Sequence, residues 1–494
     1  MKPHQATAIG LAAFGLIERI GLWFAYAPAS FGDTPSYFRL AAALSDAGLS
    51  AYDASRVPGY PGLIALLGQD PKLVWLVQMA LGWGISMLLF WLGRATTGRA
   101  AVGLLSGMLY NLIPGLVLFE ANLLSETPTA FLVILSLTLW AVLERGAPQN
   151  AATGGSATAD RATDRGRSGN RDADDGAGDD RTAGKRDPGD GAGDDLTVGE
   201  RSGAGLAQDR ELVLAGLLGV TSALAGTVRP LFFVLPVWLF FFVLSMPGSV
   251  RTHRMARAIA FGIGPVLILG GWLNWVNSTY GMFSPTTMTG YHLVQHTGEY
   301  FEYLPDEVAP IRDTYLKYRD ERIAERGVQT NAIWDAIPEM SEASGLSFFG
   351  LSAELQRLSL RLIAQHPGLY LANVVQGWID FWKAPVYWDR AGLESAWLGS
   401  LFAGWAVLGR GLSLVANAAF LIGSAAAALS GKLRSRLGVD RFALVAGGLI
   451  WLSSVVQTLV DHGDNPRFLV PLQAVVILLV VRAGWSWWRG AAKA

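Results

Sequence analysis

The sequence contains no cysteine and unusually few charged side chains. The absence of cysteine among 494 residues excludes thiol nucleophiles, cysteine-ligated zinc and disulfides. Only 16% of the residues are charged, against roughly a quarter in an average soluble protein. No P-loop, GxGxxG, GxSxG or HExxH motif occurs in a supporting context, so nucleotide-driven pumping and hydrolase chemistry gain no support. No stripe of basic residues is interleaved with aromatic residues, which argues against nucleic-acid binding.

The charges that are present are unevenly distributed. Residues 146–210 contain 9 Lys or Arg, 13 Asp or Glu and 14 Gly, and no aromatic residue. The remainder of the chain is only about 13% charged and roughly 55% apolar. A segment of this acidic, glycine-rich composition cannot bury enough apolar surface to offset its ordering entropy. We therefore predict a disordered cytoplasmic linker at 146–210 inside an all-α polytopic membrane protein.

Apolar runs long enough to cross a membrane recur through the rest of the chain. A helix needs about 20 apolar residues for this, and the N-terminal run is too long for the core of a cleaved signal peptide. Residues 393–409 are either an interfacial helix or an extra span, which gives a bundle of about 10–11 helices. The ten predicted spans are 7–27, 72–92, 101–119, 124–143, 211–228, 230–247, 258–277, 411–430, 441–460 and 467–484.

The positions of Lys and Arg set the predicted topology. Basic residues follow alternate spans from end to end, so both termini are expected in the cytoplasm, in a plasma membrane. The predicted divisions are an N-terminal bundle with an external loop, the linker, three further spans, an external segment with amphipathic helices, and the C-terminal spans. These correspond to 1–145 with loop 28–71, 146–210, 211–277, 278–392 and 393–494.

Three carboxylates are predicted at the external face. Asp33 follows the first span, and it is either the N-cap of the next helix or a general base held at the membrane surface. Glu120 closes the third span, and Glu126 opens the fourth, where an acid also complements the helix dipole. Paired acids near one cavity are what acid–base chemistry or acceptor orientation requires.

Three external arginines run against the usual cytoplasmic bias. Arg229 lies between the fifth and sixth spans, Arg467 opens the last span, and Arg56 lies in the first external loop. Each alone could be a snorkelling or solvated side chain. Together with Asp33 and Glu126 they suggest a phosphate clamp, because guanidinium groups bind phosphate through paired, charge-assisted hydrogen bonds.

Other polar residues leave alternatives open. The pair Glu18-Arg19 lies inside the first span, and it is either a structural ion pair or part of a cavity lining. Asp461-His462-x-Asp464 and the pair His292 and His296 have the residue types of metal ligands, but no complete ligand set is evident. We therefore assign no metal ligands and no certain cofactor; a divalent metal is allowed but not required.

Several motifs, in order, resemble the GT-C glycosyltransferases, in the branch of the protein O-mannosyltransferases and lipid A aminoarabinose transferases. Asp33 with Tyr37, and Arg56-x-Pro58-Gly59-Tyr60-Pro61, are similar to that family's first external loop. The resemblance continues through Ser125-Glu126, residues 216–240, which are similar to the family's glycine-rich span with its Arg-Pro (here Arg229-Pro230), and residues 272–293. Pro466-Arg467-Phe468-x-x-Pro471 resembles the final motif, with Phe468 where the family usually has Tyr.

This resemblance implies inverting transfer of a sugar from a polyprenyl-phosphate carrier to a lipid, glycan or protein acceptor outside the cytoplasm. It implies that Asp33 is the general base, that Glu126 orients the acceptor or the base, and that Arg229 and Arg467 lie near the carrier phosphate. Arg56 is a third candidate for phosphate binding on the strength of its charge and position alone. Weaker candidates for substrate contact are Tyr37, Tyr60, Glu120 and His292. The alternatives are a transporter or flippase of lipid-linked saccharides, which predicts deep charges and an inverted repeat, and an inactive family member that serves in assembly.

Overall fold

The chain is helical throughout the part that the structure describes. The structure is a computed structural model, and it describes residues 3–163, 197–246, 251–393, 395–463 and 465–491. Within these ranges the sheet-like pairing is an isolated parallel bridge between Ala29 and Asn122, which joins the first two external loops. The prediction of an all-α polytopic membrane protein is confirmed.

The chain as far as Tyr280 contains helices α1 to α11. These helices are α1 (Pro3–Ala25), α2 (Thr34–Ala47), α3 (Gly59–Leu66), α4 (Pro71–Thr97), α5 (Ala100–Leu112), α6 (Pro114–Val117), α7 (Glu126–Thr163), α8 (Thr197–Val228), α9 (Val234–Leu244), α10 (Arg251–Pro265) and α11 (Gly271–Tyr280).

The second half forms the external helices and the C-terminal bundle. Its helices are α12 (Thr289–Thr297), α13 (Ala309–Arg326), α14 (Ala332–Ser344), α15 (Phe348–Gln365), α16 (Pro367–Phe381), α17 (Ala396–Leu429), α18 (Gly431–Arg436), α19 (Arg441–Val460), α20 (Asn465–Phe468) and α21 (Val470–Ala491).

Most of the predicted spans are present as continuous helices. Among the described residues, eight helices are long and apolar enough to cross a membrane, or nine if the bent pair Ala100–Leu112 and Pro114–Glu120 is one span. Pro230–Leu244, predicted as a full span, is a shorter apolar helix. Residues 393–409 are not a separate helix, because α17 runs unbroken from Ala396 and joins them to the predicted span 411–430.

The predicted span 101–119 is broken at Pro114. The two halves meet at 69°, because proline has no N–H to donate and disfavours helical geometry in the preceding residue. Ile113 is accordingly extended, with φ −92° and ψ 106°. The carbonyl oxygen of Leu112 instead accepts a hydrogen bond from the Trp405 indole of α17 at 2.8 Å, which satisfies a backbone group near the break.

The predicted linker lies partly outside the described residues. Helix α7 continues as far as Thr163, and α8 begins at Thr197. Residues 164–196, which include most of the charges of the segment, are not described. The disordered cytoplasmic linker therefore stays a prediction.

The external segment forms a small helical unit with a core of its own. Helices α12, α13, α14 and α15 bury a contiguous apolar cluster that includes Tyr291, Tyr315, Met340 and Leu355. The next helix, α16, packs along α19: the Tyr370 hydroxyl donates to the Leu459 carbonyl at 2.6 Å, and the Trp378 indole donates to Ser454 Oγ at 3.2 Å. Helices α15 and α16 thus have different partners: α15 packs within the external unit, and α16 packs against α19.

A buried ion pair joins α1 to the end of the broken span. Arg19 donates to both carboxylate oxygens of Glu120, at 2.8 and 2.5 Å, and the Tyr110 hydroxyl also donates to Glu120. Glu18 lies farther off, with its Oε2 3.7 Å from Arg19 Nη1. Arg19 also lines a cavity of about 420 Å³ between α1 and α4. It therefore takes part in an ion pair and lines a cavity as well.

Breaking this pair should destabilise the bundle strongly. We expect Glu120→Gln to lower the free energy of unfolding by about 3–5 kcal/mol, because it leaves the Arg19 guanidinium buried without a counter-charge. The measurement is the fraction of detergent-solubilised protein that stays monodisperse after heating. The double replacement Arg19→Met with Glu120→Leu should recover most of the loss. Equal stability of the single variant and the wild type would contradict this assignment.

Candidate active site

Asp33 lies just after the C-terminal end of α1, where the chain turns into α2. It occupies the N-cap position of α2, but its side chain makes no capping hydrogen bond. Instead, Oδ1 accepts from Arg56 Nη2 at 2.6 Å, and Oδ2 accepts from Arg467 Nη2. Burial alone would raise the pKa of Asp33, but the two arginines outweigh it and hold the pKa below its usual range. The position at the cap serves to fix the carboxylate between two cations.

Glu126 and Arg229 form a second ion pair beside the first. Glu126 is the first residue of α7, and Arg229 follows the last residue of α8; both side chains are buried. Arg229 Nη1 lies 2.8 Å from Glu126 Oε1, and Arg467 Nε lies 2.9 Å from the same oxygen. Arg467 thus bridges the two carboxylates, and five charged residues predicted from separate loops form one cluster. The burial of Arg229 is contrary to a snorkelling side chain.

The cluster carries one net positive charge. Its members are two carboxylates and three guanidinium groups, Asp33, Glu126, Arg56, Arg229 and Arg467. Buried Arg56 Nε has no hydrogen-bond partner among the described residues, whereas Arg229 Nη1 lies against Glu126. Arg56 thus has an N–H group to offer to an anionic oxygen, and a cluster with an excess positive charge suits a phosphate.

Phe468 supports this cluster through its ring. The Arg229 guanidinium lies 4.2 Å from the ring centroid, which is the geometry of a cation–π contact. The family to which the motif is similar usually has Tyr here, and Phe lacks its hydroxyl group. Phe468 follows Arg467 directly in the sequence, and its phenyl ring still provides a face on which Arg229 stacks.

The loop that carries Arg56 is held by residues that the sequence did not single out. Tyr52 donates through its hydroxyl to the carbonyls of Arg56 and Val57, at 3.0 and 3.2 Å. Ala54 adopts φ 52°, a left-handed conformation that is costly for a residue with a Cβ. This strained turn is bound by two hydrogen bonds from Thr287, from its N–H to the Ala54 carbonyl at 2.9 Å and from its hydroxyl to the Asp53 carbonyl at 3.1 Å.

Tyr280 also holds the loop that carries Arg56. Its hydroxyl donates to the Tyr52 carbonyl at 2.6 Å. Tyr280 and Thr287 both belong to the stretch 272–293 that resembles a family motif, yet neither carries a charge that would mark it. No pattern in a single sequence reveals that a distant polar side chain binds a backbone carbonyl.

The weaker candidates are placed at different distances from the cluster. Tyr37 lies within it: its hydroxyl is 3.3 Å from Ser125 Oγ, and Arg56 stands 5.7 Å from its ring centroid. Tyr60 lies behind Tyr37, fully buried, and donates to Gln78 at 2.8 Å. The structure does not bring Glu120 or His292 to the cluster. Glu120 pairs with Arg19, as described above.

His292 belongs to a histidine-rich joint between the external unit and α19. Its Nδ1 lies 3.2 Å from Asp461 Oδ2, and the rings of His296 and His462 are 5.5 Å apart. Burial, with a smaller contribution from His462, lowers the pKa of His296 to about 4. Within the described ranges, no group of three or more His, Asp or Glu side chains could hold a metal ion. Asp464, the third member of the sequence pattern, lies outside the described residues.

The fold and the site define a polytopic, all-α membrane protein with a carboxylate–arginine cluster at one end of its bundle. No family model matches the chain, and no curated protein matches it. Among solved structures the chain is similar to the archaeal oligosaccharyltransferase AglB from Archaeoglobus fulgidus in complex with an inhibitory peptide and a dolichol-phosphate. The identity is 12% and the TM-score 0.44, over 97% of this chain and 50% of that chain. The chain therefore spans about half the length of that protein.

Proposed function

We propose that the chain is an inverting membrane glycosyltransferase that takes a sugar from a polyprenyl-phosphate carrier at the external face of a plasma membrane. The observation that supports this most directly is the sharing of Asp33 between Arg56 and Arg467, with the Glu126–Arg229 pair adjoining. The candidate base, Asp33, thus directly contacts two of the arginines that would bind the phosphate. The acceptor is a lipid, glycan or protein hydroxyl or amine.

The proposed reaction requires alignment, deprotonation and charge neutralisation. Asp33 takes the proton of the acceptor as the acceptor oxygen or nitrogen bonds to the anomeric carbon. The bond from that carbon to the carrier phosphate breaks, and its electron pair leaves with the phosphate oxygen. Arg56, Arg229 and Arg467 stabilise the charge on the departing phosphate. Glu126 fixes Arg229 and Arg467 in place.

The ion pairs of Asp33 mean that the base needs activation. A carboxylate between two guanidinium groups holds a proton weakly, because its pKa lies below the usual range. A donor phosphate that engages Arg56 and Arg467 competes for the same cations and weakens their hold on Asp33. Donor binding would thus raise the proton affinity of the base at the moment when it is needed.

This coupling gives a pH dependence that differs between the free and the donor-bound protein. In the free protein Asp33 stays ionised as the pH falls through the usual aspartate range near 3.9. We therefore expect the acidic limb of kcat, which reports the complex, to lie at higher pH than that of kcat/KM, which reports the free protein. Size-exclusion profiles at each pH identify the range in which the protein stays folded. Coincident limbs within that range would contradict the coupling.

The support of the Arg56 loop should matter for donor binding more than for chemistry. Thr287→Val removes the hydroxyl that bonds the Asp53 carbonyl. We expect the donor KM to rise by about three- to tenfold, in line with loss of one hydrogen bond, while kcat changes little. Thr287→Ser keeps the hydroxyl and should restore the KM. An unchanged donor KM in Thr287→Val would show that the loop holds Arg56 without this bond.

The transporter alternative is tested in the same preparation. The deep charges Arg19 and Glu120 bond each other closely, which is the arrangement of a structural pair more than of an open gate. The experiment supplies native membranes containing the protein with a panel of radiolabelled polyprenyl-phosphate sugars, and it measures release of polyprenyl phosphate and label in acceptors. A parallel assay measures movement of the same lipids across proteoliposomes. Translocation without transfer would favour the transporter and overturn our proposal.

A further inference from the structure

The end of the bundle opposite the cluster contains an arginine-lined cavity. It has a volume of about 250 Å³ and lies between the C-terminal end of α4 and the middle of α7, where the apolar span Glu126–Gly146 ends. Its lining residues are Trp91, Arg94, Ala95, Gly98 and Arg145. The Lys and Arg bias predicts that this end faces the cytoplasm. The cavity has no part in the proposed transfer reaction, which takes place at the other end.

The two arginines of this cavity are only weakly balanced by carboxylates within the described residues. Arg94 and Arg145 are both exposed, and neither forms an ion pair with a carboxylate in the part of the chain that the structure describes. Most other arginines that pack between helices here do form such pairs: Arg441 lies 3.1 Å from Glu144, and Arg482 lies 2.7 Å from Asp440. Glu144 forms its ion pair with Arg441 and attracts the neighbouring Arg145 more weakly.

Two further features favour a ligand at the membrane surface. The Arg145 guanidinium stands 5.7 Å from the Trp91 ring centroid, and tryptophan is enriched at the level of lipid headgroups. Helix α5 begins two residues after Gly98, and its N-cap residue, Arg99, makes no side-chain capping hydrogen bond. The N–H groups at the start of α5 therefore add to the positive potential beside the two arginines.

We propose that this cavity binds the anionic headgroup of a membrane phospholipid. The charge is complementary, since two guanidinium groups that form no ion pair inside the described ranges face a phosphate-sized space. The location is also suitable, because basic pockets between helices at the cytoplasmic surface bind such headgroups. The phosphodiester contacts Arg94 and Arg145, and the acyl chains lie along the apolar faces of α4 and α7.

The test compares lipid binding by delipidated protein in detergent, using native mass spectrometry with phosphatidylglycerol and phosphatidylcholine. We expect phosphatidylglycerol to bind more tightly, and Arg94→Gln with Arg145→Gln to weaken it by about fivefold per arginine. The matched control is Arg251→Gln with Arg254→Gln, which removes the same charge at the same end of the bundle. It should leave the affinity unchanged.

Two further arms keep the proposal falsifiable. If the double Gln variant fails to fold, Arg94→Lys with Arg145→Lys keeps the charge and should retain much of the binding. Excess glycerol 3-phosphate distinguishes a lipid site from a site for free phosphate, because it should not displace the lipid. Equal binding of the two lipids, equal losses in the test and control variants, or displacement by glycerol 3-phosphate would each overturn the proposal.

Discussion

Replacing Asp33 with Asn should lower kcat for sugar transfer by about 10²- to 10⁴-fold, the range expected on loss of a general base. The donor KM should not rise, because the substitution removes a carboxylate that competes with the donor phosphate for Arg56 and Arg467. The measurement is the rate of release of labelled polyprenyl phosphate at several donor concentrations, at matched protein expression.

The control for this variant is Asp70→Asn. Asp70 caps α4 at the same end of the bundle by accepting from the N–H groups of Lys72 and Leu73. Asparagine caps a helix about as well as aspartate, so this variant removes one external charge without loss of stability and should transfer normally. Undiminished transfer by Asp33→Asn would refute the base assignment. An equal loss in Asp70→Asn would indicate a general effect of surface charge.

Replacing Arg467 with Ala should mainly raise the donor KM, whereas Asp33→Asn should mainly lower kcat. Arg467 contacts both Asp33 and Glu126, so its loss leaves two neighbouring carboxylates with fewer cations and removes a phosphate-binding group. We expect the donor KM to rise by about 10- to 100-fold, which corresponds to the loss of hydrogen bonds to a charged group. Titration of the labelled donor at saturating acceptor measures this change.

Two variants separate binding from folding in this case. Arg467→Lys keeps the charge but not the planar fork, so its donor KM should lie between those of the wild type and Arg467→Ala. Arg361→Ala removes an exposed arginine of the external unit and should have no effect. A donor KM that is unchanged in a folded Arg467→Ala protein would count against the clamp.

The cluster could be predicted in part because the membrane makes each outward-facing charge conspicuous. Sorting residues by predicted side of the bundle placed Asp33, Glu126, Arg229 and Arg467 at one end, and the structure joins them through direct ion pairs. The single spans could be predicted as well, because the membrane requires each of them to contain a long apolar run. This sorting could not predict which charged side chains pair, because it gives the depth of a residue in the membrane and not its position around the bundle.

The features that escaped prediction depend on contacts between distant elements. Glu120 is near the external loops in sequence, but the bend at Pro114 directs it to Arg19 instead. The predicted separation of 393–409 from 411–430 is wrong, because α17 continues through Arg410 and a helix accommodates a single exposed arginine without ending. Thr287 and Tyr280 act through backbone carbonyls of the Arg56 loop, for which residue type carries no signal.

Asp33 and Arg467 are 434 residues apart in the chain. Because Asp33 is synthesised long before Arg467, which lies in the short helix α20, the cluster cannot close until the chain has been made as far as α20. The hydrogen bond to the Leu112 carbonyl likewise cannot form until Trp405 has been made. Assembly of the charged centre thus follows the synthesis of α1 to α19. A chain made only that far has acids from its early loops without Arg467, the cation that bridges them.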